Sequence, residues 1–166
     1  ADLRSQHPHW TQFVWDIWIR RVGPLWPLAG RIASLPFLPG GSSLETARAL
    51  LPQETAAPWG RIKPAVQVGV GTPVAVFAGC TARNARPGWI ARAETLLRRW
   101  GYVVLDGGGF TCCGGTLHHA GLFAAQAEVR RRNIERWRDM GRPVIAAFCA
   151  SCKHGLDAYA EEGGME

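Results

Sequence analysis

The sequence predicts an α/β fold, a small parallel sheet with crossover helices preceded by a helical N-terminal segment, and three observations carry that expectation. Three short runs, residues 73–79, 102–105 and 144–148, are apolar, uncharged and rich in β-branched residues, as buried parallel strands are. Segments with helical spacing alternate with them, giving strand, helix, strand, helix, strand, helix, the order of a parallel sheet with right-handed crossovers. The chain has 166 residues, 47% of them hydrophobic, which is enough to bury a core.

The N-terminal segment comes first. Trp10, Phe13, Val14, Ile17, Trp18 and Val22 fall at i, i+3, i+4, i+7, i+8 and i+12, which predicts an amphipathic helix over 10–22 with an arc broadened by Trp15 and Ile19. It is too interrupted to cross a bilayer, because Asp16 breaks the apolar run and Arg20, Arg21, Pro24 and Pro27 follow closely. A second short helix is expected around Leu28, Ile32 and Leu35, then a turn over 36–41, then a helix to Leu51 opened by a capping box of Ser42 and Glu45. Residues 52–71 read as a connector in which Val66, Val68 and Val70 could form an edge strand. The expected division is a tryptophan-rich helical segment over 1–52, a connector over 53–72 and one cysteine-bearing domain over 73–166. The first segment is expected to be a helical hairpin packed on its own domain, with contact to a partner protein or a membrane surface as the alternative.

Between the first two strands, Trp89, Ala93, Leu96, Leu97 and Trp100 form a stripe at i, i+4, i+7, i+8 and i+11, with Arg92, Glu94, Arg98 and Arg99 turned away. That stripe should pack on the sheet. A second helix is expected over 117–139, carrying Leu122, Phe123, Val129, Ile134 and Trp137 and ended by Gly141 and Pro143. A third should begin at Cys149–Cys152 and run to about Glu162, where Gly163 and Gly164 stop it.

The five cysteines fall in three clusters: Cys80, the doublet Cys112 and Cys113 before Gly114, and Cys149 with Cys152, a C-x31-CCG-x34-C-x2-C pattern. Each cluster follows one predicted strand, and in parallel sheets the ligand site lies beyond the carboxyl ends of the strands. The spacing therefore predicts one site. Gly114 and Gly115 let backbone approach sulfur, and helices starting after Cys113 and at Cys152 would aim N–H groups at thiolates. Arg83, Arg86 and Lys153 lie near enough in sequence to offset further negative charge, and His118, His119 and His154 are either donors to sulfur or ordinary helix residues.

Thiolates gathered in this way can hold a metal, form a redox dithiol or pair as disulfides. Zinc takes four ligands and is usually held by two C-x2-C knuckles or by cysteine with histidine, whereas one knuckle and five thiols are present; a zinc ion using four of them stays open. Adjacent cysteines in an extended chain point to opposite sides, which suits a cluster with spread ligand positions better than one small ion. A thioredoxin-like Cys149–Cys152 pair would ignore the other three cysteines. A disulfide framework fits an odd count and a large core poorly, and nothing resembles a secretory signal.

The cysteine spacing, with FAGC at the first cluster and F-x-CCGG at the second, resembles the cysteine-rich CCG domain. This domain occurs in heterodisulfide reductase, in the iron–sulfur component of glycolate oxidase, in anaerobic glycerol-3-phosphate dehydrogenase and in lactate-utilisation iron–sulfur proteins. The resemblance covers about residues 73–162. It implies that Cys80, Cys112, Cys113, Cys149 and Cys152 bind a [4Fe-4S] cluster, in heterodisulfide reductase a non-cubane one, although some members hold zinc in one copy. It further implies an iron–sulfur electron-transfer subunit that relays electrons from a flavoprotein dehydrogenase subunit, with other iron–sulfur subunits, towards quinone or another carrier. The alternatives are a catalytic non-cubane cluster of the heterodisulfide-reductase type and a zinc-stabilised assembly module. Most relatives carry the motif twice after ferredoxin-type C-x2-C-x2-C-x3-C-P runs, whereas this chain has one motif, no such run and no initial methionine. A portion of a longer subunit is the simplest account; a natural single-motif protein working with partners is the other.

Charge adds less. Arginine outnumbers lysine 17 to 2 and the formal net charge is +6. The run Arg130, Arg131, Arg132 reads as a solvated helix face, and no stacking platform or motif points to nucleic acid. A cluster held by thiolates would itself carry negative charge that a basic protein offsets. Reduced thiols and the lack of a targeting segment predict a cytoplasmic location, with the cytoplasmic face of a membrane as a variant.

Overall fold

In the computed structural model, the described residues are Gln6, 9–38, 41–49, 51, 68–147, 149–160 and 165, with no side-chain description for Ser43. The core is a three-stranded parallel sheet of order β2-β1-β3, built from β1 (Pro73–Phe77), β2 (Val103–Leu105) and β3 (Val144–Ala147). Val74 pairs with Val104 on one side and with Val144 on the other. The strand after Pro73 is buried throughout, with Val74, Ala75, Val76 and Phe77 at 2% exposure or less, because β1 is flanked by a neighbour on each side. The expected α/β class and the three strands are all present; Phe148, expected at the end of the third strand, lies outside the described residues.

The crossovers are more broken than their periodicity predicts. Between β1 and β2 the chain forms α4 (Gly79–Ala85) and α5 (Pro87–Arg99), divided at Arg86. Proline at the first position of α5 is favourable there, since its missing N–H needs no intrahelical partner. The first of these helices was not predicted, because its buried face is made of Gly79, Ala82 and Ala85, too small to give an apolar stripe. The predicted stripe of α5 is only half-buried at Ala93, Leu96, Leu97 and Trp100, and Trp89 is exposed. Between β2 and β3 the single expected helix is two, α6 (Gly115–His119) and α7 (Phe123–Asp139), broken where Gly121 takes a φ of +78°. Gly141, at φ +80°, and Pro143 end α7 as expected. The last helix, α8 (Ala150–Ala160), starts beside the C-x2-C as expected; its expected end near Glu162 lies outside the described residues.

The N-terminal part begins with α1 (Trp10–Arg20), followed by a 3₁₀ turn (Gly23–Leu25), α2 (Trp26–Ala33) and α3 (Ser42–Arg48). Trp18 and Trp26 stack at 5.6 Å, and Trp26 Nε1 donates to Trp18 O at 3.2 Å, clasping a hairpin. The packed faces differ from those predicted. Ile19 is the buried residue of α1, while Trp10, Phe13, Val14 and Trp15 are exposed. In α2 the buried residues are Trp26, Gly30 and Ala33, and the expected Leu28, Ile32 and Leu35 are exposed. Small Gly30 lets α2 approach α3, since a Cβ there would lie 2.9 Å from Ala47 O.

Two local expectations fail. No capping box forms: Gly41 is the N-cap of α3, Ser42 is its first helical residue and the helix stops at Arg48 rather than Leu51. The Arg86 guanidinium instead takes the carbonyls of Ala49, at 2.9 Å, and Leu51. Residues 68–70 are not an edge strand, because Val68 and Gly69 both donate their N–H groups to Trp100 O at the end of α5. Val66 lies outside the described residues. No helix among the described residues is long and apolar enough to cross a membrane.

Candidate metal centre

The three strands end on one side of the sheet, and each carboxyl end delivers cysteine. β1 runs through Ala78 and Gly79 to Cys80 in the first turn of α4; β2 leads through the 106–110 loop to the doublet; β3 leads to Cys149, just ahead of α8, and Cys152 in its first turn. The loop after β2 is tightly held. Asp106 Oδ1 accepts from Gly108 N at 2.8 Å, Arg136 Nε donates to Gly108 O at 2.8 Å, and a Cβ at Gly107 would lie 2.4 Å from Val76 O. Phe110, fully buried against Phe77 at 5.4 Å, then turns the chain into the doublet.

The structure brings all five sequence-predicted cysteines together. Their thiols lie next to one another in a strip, in the order Cys80, Cys112, Cys113, Cys152, Cys149, each acting on the next, and all five are free. Cys112, Cys113 and Cys152 are buried; Cys80 and Cys149 lie half-exposed at the two ends. The doublet divides between two apolar clusters. Cys112 packs with Ile19, Leu117 and Val129, with Cys80 against them, while Cys113 packs with Phe77, Phe110, Cys152, Leu156 and Tyr159. The sharp turn that lets both sulfurs reach the strip comes at Gly114, whose φ of +86° is in the left-handed region.

Glycines line the strip. A Cβ on Gly79, at φ +68°, would come within 2.7 Å of Cys152 Sγ, one on Gly155 within 3.3 Å of Cys113 Sγ and one on Gly115 within 3.6 Å of the same sulfur. Backbone N–H groups at the helix starts face the thiols, as expected. Gly114 N donates to Cys112 Sγ at 3.3 Å, and the N–H groups of Gly115 and of Ser151 and Cys152 help lower the pKa of Cys113 and of Cys149 respectively. Ser151 also places Oγ 3.2 Å from Cys149 Sγ, and its carbonyl oxygen lies 3.8 Å from Cys113 Sγ.

Protons are shared unevenly along this strip. Hydrogen bonds from Cys112 and then Cys152 hold the Cys113 thiol well below its ordinary pKa, and Cys112 does the same for Cys80. Cys112 and Cys152 are raised correspondingly, first by their bonds to Cys113 and then with burial among the further causes. Ser151 draws Cys149 down. The strip thus favours thiolate at Cys80 and Cys113, with the protons on Cys112 and Cys152. Among the described residues, no three histidine, cysteine, aspartate or glutamate side chains are placed to hold a single metal ion.

The cysteine-rich domain family called CCG matches residues 74–157, just over half of the chain. The chain belongs to the CCG family. Neither the curated proteins nor the solved structures gave a match. CCG domains are cysteine-rich domains of iron–sulfur oxidoreductase subunits, and the matched stretch holds all five thiols of the strip.

Several residues expected near the sulfurs are occupied elsewhere. Lys153 pairs with Asp157 at 2.7 Å on the exposed side of α8, and the Arg86 guanidinium binds the carbonyls already described. Arg83, His119 and His154 are exposed, and His118 Nδ1 lies 3.1 Å from Gln126 Oε1. Of the arginine run, Arg131 and Arg132 form ion pairs with Glu128 and Glu135 on a solvated face, as expected. Arg130 instead donates to Ala158 O at 3.0 Å and sits 5.1 Å from the Tyr159 ring.

The sequence reading missed Asn133 and Tyr159, which hold the doublet from behind. Both lie on the buried faces of their helices, at i+4 from Val129 and i+7 from Cys152. That register is the signal that could have found them.

Proposed function

We propose that this CCG domain binds an iron–sulfur cluster through Cys80, Cys112, Cys113, Cys149 and Cys152 and serves as the electron-transfer part of an oxidoreductase complex. The observation that carries the reading is the continuous strip of five free thiols at one sheet edge. The donor set fits such a group in its chemistry: the ligands are all sulfur, there are five, they are spread in a line, and glycines leave backbone room beside them. A bound cluster would supply one-electron chemistry at low energetic cost of reorganisation. This chain's own contribution is to hold the ligands, to donate N–H groups to sulfur and to limit water, the levers that set a cluster's potential.

Family membership supports a relay between a flavoprotein dehydrogenase subunit and a further carrier such as quinone, with other iron–sulfur subunits in the same complex. A cytoplasmic location, at the membrane surface or away from it, accompanies that reading. The half-exposed Cys149 favours a second reading, in which a disulfide substrate reaches the open end of a catalytic non-cubane cluster.

Anaerobic iron–sulfide reconstitution followed by metal and sulfide analysis and electron paramagnetic resonance is the deciding experiment. A brown protein with stoichiometric iron and sulfide that a flavoprotein reduces, without disulfide turnover, supports the relay. A colourless protein that retains zinc through purification and takes up no iron ends it in favour of a zinc-stabilised assembly module.

A further inference from the structure

We propose that Asn133 and Tyr159 are positioning residues that lock the backbone of the cysteine doublet, so that Cys112 and Cys113 both turn sulfur into the strip. Asn133 is completely buried, at 0% exposure, and is the buried polar side chain among the described residues. It sits on α7 between Val129 and Trp137, in the middle of the face that packs inward, where an apolar side chain would otherwise fit. An amide there is tolerated only when its bonding capacity is met.

All of that capacity is directed at the doublet and its neighbours. Asn133 Oδ1 accepts from Thr111 N at 2.9 Å and from Thr111 Oγ1 at 3.3 Å. Asn133 Nδ2 donates to Cys112 O at 2.9 Å and to Tyr159 Oη at 3.2 Å. Tyr159, 1% exposed, passes the chain on by donating its hydroxyl proton to Cys113 O at 2.9 Å. Three consecutive residues are therefore held by main-chain atoms, although no helix or strand includes them.

The need for such a clamp follows from the doublet itself. Neighbouring side chains diverge in an extended chain, and these two divide between different apolar clusters. Fixing the carbonyls of Cys112 and Cys113 fixes the two peptide planes around Cys113. That sets the direction of both Cβ atoms just before Gly114 turns the chain. Arg130, against the Tyr159 ring, holds the phenol from its other side. An amide that only filled the core would have no reason to direct three of its four bonds at one loop and the fourth at the phenol that holds the same loop.

The inference rests on the doublet being a ligand pair, and the test separates the two ideas. In the full chain, Tyr159→Phe and Asn133→Asp are compared with wild type by alkylation of each cysteine in the cluster-free protein, followed by mass spectrometry. The reconstituted proteins are compared by the g values of their paramagnetic signal. Tyr159→Phe keeps the ring and loses the hydroxyl, so Cys112 and Cys113 should react about tenfold faster while Cys80 and Cys149 keep their rates. The signal of the loaded variant should shift in shape at unchanged iron content. Wild-type rates and g values in Tyr159→Phe would overturn the clamp, as would a uniform rise at all five cysteines, which reports general loosening. If Asn133→Asp does not fold, Tyr159→Phe alone decides. Wild-type protein that takes up no iron, with selective exposure of the doublet in Tyr159→Phe, would sink the ligand reading and leave the clamp standing.

Discussion

Gly79 and Cys152 face each other so closely that a Cβ on Gly79 would lie 2.7 Å from the Cys152 sulfur, at a backbone φ of +68°. The end of the central strand and the start of the last helix thus meet at a point where only hydrogen fits. Gly79 is the place where β1 hands the chain to Cys80, so the sheet edge and two of the thiols are fixed by one contact.

Replacing Gly79 by alanine should destabilise the cluster-free protein by about 2–4 kcal/mol, combining the left-handed backbone cost with overpacking against sulfur. Urea unfolding measures it, and iron uptake should fall as Cys152 is pushed aside. An unchanged unfolding midpoint would mean that the chain relaxes around the methyl group, and that the contact is not a constraint.

The thiols should not be equivalent. Cys113 lies between Cys112 and Cys152 in the middle of the strip and is buried, whereas Cys149 is half-exposed at one end. Cys113→Ser should abolish the cluster or convert it to one with less iron. Cys149→Ser should retain the larger share, with its exposed position open to water as a substitute ligand. Iron and sulfide assays with paramagnetic resonance rank the two; equal loss would show that the ends matter as much as the centre. Stripping the cluster with a chelator should lower the unfolding midpoint of wild type, because a group bound only by the folded state stabilises it by mass action.

The N-terminal hairpin gives a pair of variants with opposite outcomes. Trp26 is 5% exposed, stacked on Trp18 and bonded to its carbonyl, while Ile32 on the same helix is 52% exposed. Trp26→Ala should cost about 3–5 kcal/mol, as other buried aromatic truncations do. Ile32→Ala should stay within about 0.5 kcal/mol of wild type. Thermal unfolding of the two reads the difference. A reversed order would restore the face that the apolar spacing first pointed to.

That spacing shows where sequence was legible and where it was not. The strands and the gathering of the five cysteines were readable because parallel burial makes 73–77 uniformly apolar and because each cysteine cluster follows a strand. The break at Arg86 and the helix bearing Cys80 were hidden, since glycine and alanine pack that helix and leave no periodic signal. Leu28, Ile32 and Leu35 misled for the opposite reason. Close packing of α2 against its neighbours selected Gly30 and Ala33, whose small size permits approach, over the larger side chains. Arg86 and Lys153 illustrate a further limit: proximity in sequence to a cysteine does not set the direction of a long side chain, and carbonyls or a carboxylate one turn away took them first. Asn133 adds nothing to an apolar stripe because it is polar, although its register with Val129 and Trp137 places it inside.

Alkaline pH should weaken the cluster-free fold through Tyr159. Burial is the main cause that pushes its phenol up to about 12, with the Asn133 bond opposing the shift and the nearby Cys113 thiolate adding to it. A folded-state pKa above the ordinary value near 10 means that the folded protein holds the proton more tightly than the unfolded chain. The stabilisation is therefore complete below about pH 10 and disappears as pH rises towards 12, a loss of about 2–3 kcal/mol. Urea midpoints taken between pH 9 and pH 12 should fall across that window in wild type. In Tyr159→Phe, which has no phenol to ionise, the midpoint should start lower by the lost hydrogen bonds and decline less steeply over the same range. Parallel declines in the two proteins would assign the alkaline loss to other groups and leave Tyr159 without a share in it.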